Sequence, residues 1–181
     1  MAYLLTLALF QNLHALPMTT NKKVEAISKL YLGNPYVWGG NTPKTGMDCS
    51  GYTKYVFKKV GIILPRTAWA QSKIGQSIDK KNLQKGDLLF FLTDKKRKIP
   101  ITHVGIYLGR GKFIHAASSK KGIIISSLNT EYYNKVFKGA KRITHDTTHF
   151  KKNFYIALDK EAMNSSMKPK LILFGGTNAT F

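Results

Sequence analysis

The chain has 181 residues, 43% of them hydrophobic, with 10 Phe, 9 Tyr and a single Cys. This content suits one packed domain and excludes an intrinsically disordered chain, while a lone cysteine excludes an internal disulfide framework and a cysteine-rich metal site. The 29 Lys and Arg against 9 Asp and Glu give a formal charge of +20, which is either a solvated lysine-rich face or a field that attracts acidic polymers and anionic surfaces. Most basic residues are spread in pairs. Only Lys95-Lys96-Arg97-Lys98 forms a dense cluster, and no nucleic-acid motif accompanies it, so acidic substrates or surfaces are favoured over specific DNA or RNA recognition.

Residues 2–16 are apolar apart from Thr6, Gln11, Asn12 and His14. The run is too short to span a bilayer and reads as a signal-like leader within residues 1–18, although no Lys or Arg precedes it. Export to the periplasm or the medium is the expectation. Val24, Ile27, Leu30 and Tyr31 then sit at helical spacing, with Thr20 as cap and Gly33 as stop. Tyr36-Val37-Trp38-Gly39-Gly40 reads as a short strand ending in two glycines, followed by a loop at 41–47. A helix starts at Cys49, with Asp48 as N-cap, Tyr52, Tyr55, Val56 and Val60 at helical spacing, and Gly61 as stop. A short helical piece is predicted near 67–74, and strands at 88–92, 102–108, 112–117, 123–128 and 140–143. A basic loop covers 93–100 and a helix 130–137. Helices first and an antiparallel meander afterwards indicate an α+β domain over 19–143. The pattern weakens in the extension at 144–181, with one further edge strand at 171–174.

Cys49 has three possible fates: an inert buried thiol, an intermolecular bridge or a nucleophile. Its place in a capped first turn, where unpaired N–H groups and the helix dipole favour a thiolate, points toward the nucleophile without deciding it. A nucleophilic thiol needs a base, and the base needs a group to orient it. Of the five histidines, His14 falls in the leader, while His145 and His149 lie where patterning is weakest. His103 and His115 open and close one hairpin.

Strand parity decides whether those two meet. A two-residue Arg110-Gly111 turn would place them on opposite faces. A three-residue Gly109-Arg110-Gly111 loop pairs Gly105 with His115 and puts His103 on the same face, diagonal to His115. Gly111 suits the left-handed last position of such a loop. Val104, Ile106, Leu108, Ile114 and Ala116 then share the other face, a consistent core side. Zinc is the competing reading of paired histidines. It would need Asp87 or Cys49 as a third ligand, and no HxxxH or CxxC spacing is present. Neither a metal nor a cofactor is expected.

Six blocks in order carry a resemblance: Tyr36-Val37-Trp38-Gly39-Gly40, Asp48-Cys49-Ser50-Gly51, Leu64-Pro65-Arg66-Thr67, Gly86-Asp87-Leu88-Leu89-Phe90-Phe91, His103-Val104-Gly105-Ile106-Tyr107 and Phe113-Ile114-His115-Ala116. Over residues 24–143 the chain closely resembles the NlpC-type bacterial cell-wall peptidases. That resemblance implies a papain-like α+β fold and hydrolysis of amide bonds in peptidoglycan stem peptides, commonly between D-Glu and a diamino acid. It implies Cys49 as nucleophile, His103 as base, His115 as orienter and Tyr36 beside the nucleophile. It also implies Asp48 and Ser50 as contacts for a free stem-peptide amine. Arg66 is offered either a substrate carboxylate or a surface ion pair, and Trp38 and Trp69 either a cleft or the core. With a helix terminus and a His103 cation beside it, Cys49 is expected to react below the free-thiol value of about 8.5. A monomer is expected, with the charge of +20 supplying affinity for anionic wall or membrane surfaces. A related thiol amidase or acyltransferase on a non-wall substrate, or a wall-binding relative with little activity, is the alternative.

Overall fold

The computed structural model describes residues 19–144. The leader, His14, His145, His149 and the strand expected at 171–174 lie outside the described residues. Helix α1, Thr20–Lys29, is capped by Thr19, whose hydroxyl accepts the Lys22 N–H, one residue before the expected cap. It buries Val24 and Ser28. Ser28 O accepts the Tyr52 hydroxyl at 2.9 Å, which pins α1 to α2, Cys49–Lys58.

The segment 36–40 is a turn rather than a strand. Gly40 N–H returns to Val37 O at 2.9 Å, while Val37 N–H reaches Met47 O and Gly40 O accepts the Asp48 N–H, so the segment turns back and is tied to residues 47–48 by single bonds instead of a ladder. Two short strands follow, β1 at Asn41–Thr42 and β2 at Gly46–Met47, paired antiparallel. Gly40 O lies against Gly51 in α2, where any Cβ would collide with it and would stand 3.1 Å from Asn41 Cα. The missing side chain at 51 therefore allows the 40–41 backbone to dock on the first turn of α2.

After α3, Ala68–Gln71, one sheet holds β3 Gln76–Ile78, β4 Leu88–Phe91, β5 His103–Gly109, β6 Lys112–Ser118, β7 Gly122–Ser127 and β8 Phe137–Arg142. Helix α4, Glu131–Val136, precedes β8. The order is β3-β8-β4-β5-β6-β7, so the last described strand inserts between β3 and β4. Strand β3 is not signalled by the sequence because Gln76 and Ser77 are exposed and give no apolar alternation. All of β4 is buried, as its unbroken Leu88-Leu89-Phe90-Phe91 run requires of a strand covered on both faces. Leu88, Phe90, Val104, Ile106 and Ile114 share the main core with Val24, Tyr52 and Val56 of the helices. Leu89, Phe91, Phe113 and Ala140 form a second core, closed by Tyr133 and Val136 of α4. Asp87, fully buried, joins β4 to β8 through two 2.8 Å bonds from Arg142. This bidentate pair gives Asp87 a structural role in place of a third metal ligand.

Gly51→Ala tests the docking of the turn on α2. Overpacking there is expected to cost about 1–3 kcal/mol, read as a lower melting temperature. An unchanged melting temperature would contradict this close approach.

Candidate active site

The hairpin solves the parity problem by a route the sequence does not signal. Its turn has two residues, Arg110 and Gly111, at φ 51° and 69°, closing Gly109↔Lys112. Taken alone, this turn would separate the histidines. The register shifts between Tyr107 and Gly109, so Leu108 is an extra residue on β5. Beyond that bulge the pairing is Ile106↔Ile114, the register a three-residue loop would have given. The expected loop is corrected, and the expected shared face survives.

The β5–β6 ladder is recorded from the turn to Ile106↔Ile114, while β5 continues along β4 to Phe91↔His103 and β6 along β7. Tyr107 N–H donates to Asp87 O, so by alternation Val104 N–H faces the side on which β6 has left the ladder. There it favours the Cys49 thiolate, as does the Ser50 N–H. The first turn of α2 thus meets the strand next to His103. Gly105 keeps this end closed, because a Cβ there would lie 2.7 Å from the Phe113 ring and 3.2 Å from His115 Cβ.

His103 Nε2 lies 2.7 Å from His115 Nδ1, with the rings at 87°. His115 Nε2 lies 3.0 Å from Ser126 Oγ and 3.4 Å from the Tyr133 hydroxyl. A base facing the cleft needs a bare Nδ1 on His103, and that condition fixes the other protons. With that tautomer His103 would donate from Nε2 to His115 Nδ1, and His115 from its own Nε2 to Ser126. Sequence reading misses Ser126 and Tyr133. The first follows from the register Phe113↔Ser126, which sets it on the His115 face. The second rests on α4 folding over that face, where its ring meets Phe91, Phe113 and His115 edge-on.

Asp48 caps α2 as expected, accepting Gly51 N–H at 2.7 Å. It also accepts Gly39 N–H, the Ser50 hydroxyl and both terminal nitrogens of Arg66, the shortest contact being 2.6 Å. Burial opposes its charge, but Arg66, Gly51 and Ser50 hold the carboxyl below its usual range. Arg66 also reaches Ser50 Oγ and Gly40 O, so of its two expected roles the structure shows the ion pair. Buried Gln71 fixes this corner through Nε2 bonds to Ser50 O and Pro65 O. A cleft of about 620 Å³ is lined by Cys49, His103, Tyr36, Asp48, Ser50 and Arg66. His115 stands behind His103, outside that lining. Trp38 and Trp69 both line the cleft.

Residues 33–142 match the NlpC/P60 family. The chain belongs to the NlpC/P60 family. It is 43% identical over 114 residues to a γ-D-glutamyl-L-lysine dipeptidyl-peptidase of Bacillus cereus, covering 63% of this chain and 34% of that protein. It is 38% identical over 128 residues to a γ-DL-glutamyl hydrolase of Bacillus subtilis, covering 71% of this chain and 31% of that protein. The chain thus spans about a third of the length of these curated relatives. Among solved structures, an NlpC/P60 family protein from Bacillus cereus superposes with a TM-score of 0.62 at 38% identity, over 67% of this chain and 39% of that one. The mixed architecture, with helices ahead of an antiparallel sheet, is the NlpC/P60 fold.

The electrostatics of this NlpC/P60 site differ from the sequence expectation. Burial pushes the Cys49 thiol up to about 11, and the Asp48 carboxylate adds to the rise against the Val104 and Ser50 N–H groups. Burial pushes His103 down to about 4, partly offset by Asp48. Burial, with the positive charges of His103 and Lys121, takes His115 down to about 2. The helix-terminus effect is present but smaller than the loss of water around the sulfur. A neutral thiol therefore faces a neutral imidazole. Tyr36, raised to about 12 by burial and by its neighbours Cys49 and Asp48, stays a phenol donor.

Alkylation of Cys49 by iodoacetamide is expected to climb about tenfold per pH unit from neutrality toward pH 10, following the rising thiolate fraction. A rate plateau reached below about pH 8.5, the free-thiol reference, would contradict the raised thiol.

Proposed function

We propose that this chain is a cysteine endopeptidase that hydrolyses an amide bond of peptidoglycan stem peptides, the link between D-γ-glutamate and a diamino acid. The observation that carries the reading is the 2.7 Å pairing of His103 with His115 behind a cleft shared by His103 and Cys49. The two relatives described above bear names that specify γ-glutamyl bonds, which supports that linkage.

In this reading His103 Nδ1 takes the thiol proton as the Cys49 sulfur adds to the scissile carbonyl carbon. The oxyanion is met by the Cys49 N–H, which helix geometry leaves without an intrahelical acceptor, and by the Tyr36 hydroxyl. Collapse breaks the C–N bond, and His103 returns the proton to the leaving amine. A water activated by His103 then hydrolyses the thioester, releasing the carboxylic acid and restoring the thiol. His115 keeps a ring-nitrogen acceptor beside His103 Nε2–H throughout, so no buried anion is needed. Asp48 and Ser50 shape the cleft floor. The donors of Gly39, Ser50, Gly51 and Arg66 already surround the Asp48 carboxylate, so a substrate ammonium meets its charge only by displacing one of them.

The remaining expectations complete the proposal. The enzyme acts as a monomer outside the cytoplasm, supported by the apolar run at 2–16, and the charge of +20 holds it near anionic wall polymers. The γ-DL-glutamyl hydrolase similarity favours one second reading, the same chemistry on a γ-glutamyl polymer outside the wall.

Purified muropeptides and, separately, poly-γ-glutamate, each incubated with wild type and Cys49→Ala and followed by mass spectrometry, separate the two. Cleavage at the D-Glu–diamino acid bond by the wild type alone is the expected result. Cysteine-dependent cleavage of poly-γ-glutamate with all muropeptides intact would move the substrate away from the wall.

A further inference from the structure

Two arginines line the cleft, Arg66 and Arg97. Arg66, the candidate carboxylate ligand of the sequence reading, is neutralised by Asp48 at 2.6 Å and has both terminal nitrogens engaged. Arg97 is different. Among the described residues the ion pairs join Lys29 and Lys85 to Glu25, Arg66 to Asp48 and Arg142 to Asp87, and none engages Arg97. Its guanidinium lies over the Trp38 ring, 5.1 Å from the centroid, and Trp38 is 71% exposed. Asp94, the nearest carboxylate in sequence and itself part of the cleft lining, caps the 3-10 turn Lys95–Arg97 through the Lys96 N–H at 3.0 Å and forms none of these ion pairs.

The loop that carries Arg97 is anchored beside the catalytic strand. Thr102 Oγ1, next to His103, accepts the N–H groups of Thr93 at 2.8 Å and Asp94 at 3.0 Å. The positive charge of Arg97 also bears on the Tyr36 hydroxyl, favouring its ionised form. Tyr36, Trp38 and Arg97 therefore line the cleft together, with a phenol donor, an aromatic face and a guanidinium in none of those ion pairs. Stacking on Trp38 orients the planar fork and restricts a long side chain, which prepares it for two parallel bonds to a planar anion.

We propose that Arg97, held on Trp38, is a carboxylate-binding subsite that selects γ-glutamyl substrates whose α-carboxyl group is ionised. The inference rests on the γ-glutamyl reading above and extends it to one substrate group. A glutamate joined through its γ-carboxyl keeps its α-carboxylate a few bonds from the scissile carbonyl. That anion needs a partner in a cleft whose other arginine is already paired. Amidation of the same group removes the charge and one acceptor oxygen, and with them the bidentate match.

The test uses two stem peptides that differ only in a free or amidated α-carboxyl at the γ-linked glutamate. Wild type is expected to prefer the free carboxylate about tenfold in kcat/KM, mainly through KM. Arg97→Gln should bring the ratio between the two peptides close to one, and Arg97→Lys should keep part of it. Equal wild-type rates on both peptides, or an unchanged preference in Arg97→Gln, would overturn the subsite. Calorimetric titration of Cys49→Ala with both peptides reads the same preference without turnover. Selective binding of the carboxylate form without cleavage by the wild type would support the subsite and sink the endopeptidase reading instead.

Discussion

The contact between His103 Nε2 and His115 Nδ1 is the interaction on which the site depends, and it exists because of one extra residue on β5. Leu108 bulges between Tyr107↔Phe113 and Gly109↔Lys112. Without it, a two-residue turn would direct the two rings to opposite faces of the sheet. With it, the tight turn and the shared face coexist. The same strands part beyond Ile106↔Ile114, and the Val104 N–H on that side favours the Cys49 thiolate. Bulge and parting together bring Cys49 of the helical layer and His103 of the sheet into one cleft.

Dehydration sets the chemistry that follows. Cys49, His103 and His115 are all buried, and burial is the largest influence on each, favouring the neutral forms. In the proposed mechanism the thiolate is made by proton transfer during attack rather than stored. Charge in the cleft is confined to its walls. Asp48 and Arg66 neutralise one another at the start of α2, while Arg97 and Asp94 also line the cleft and form no ion pair with each other.

Much of this was legible in the residues. Asp48 as N-cap, Gly51 as a point of close approach, the α2 face and the core side of the hairpin all follow from local rules of capping and alternation. The elements that escaped are those fixed by distant partners. Strand β3 forms only because β8 arrives beside it, and the turn at 36–40 because Gly40 N–H closes on Val37. The Leu108 bulge leaves no mark in composition, since Gly109, Arg110 and Gly111 suit either a three-residue loop or a two-residue turn. Ser126 and Tyr133 needed two further registers before either could be set behind His115. The ionisation expected for Cys49 was misjudged for a related reason, because a helix terminus is visible in sequence whereas the depth of burial is not.

Nitrogen-15 NMR of the histidine rings in the full chain at pH 7 tests the central claim most directly. The account predicts neutral imidazoles at His103 and His115, both protonated on Nε2, with His103 staying neutral until the pH approaches about 4. An imidazolium at His103 at pH 7, or a proton on Nδ1 of His115, would contradict it.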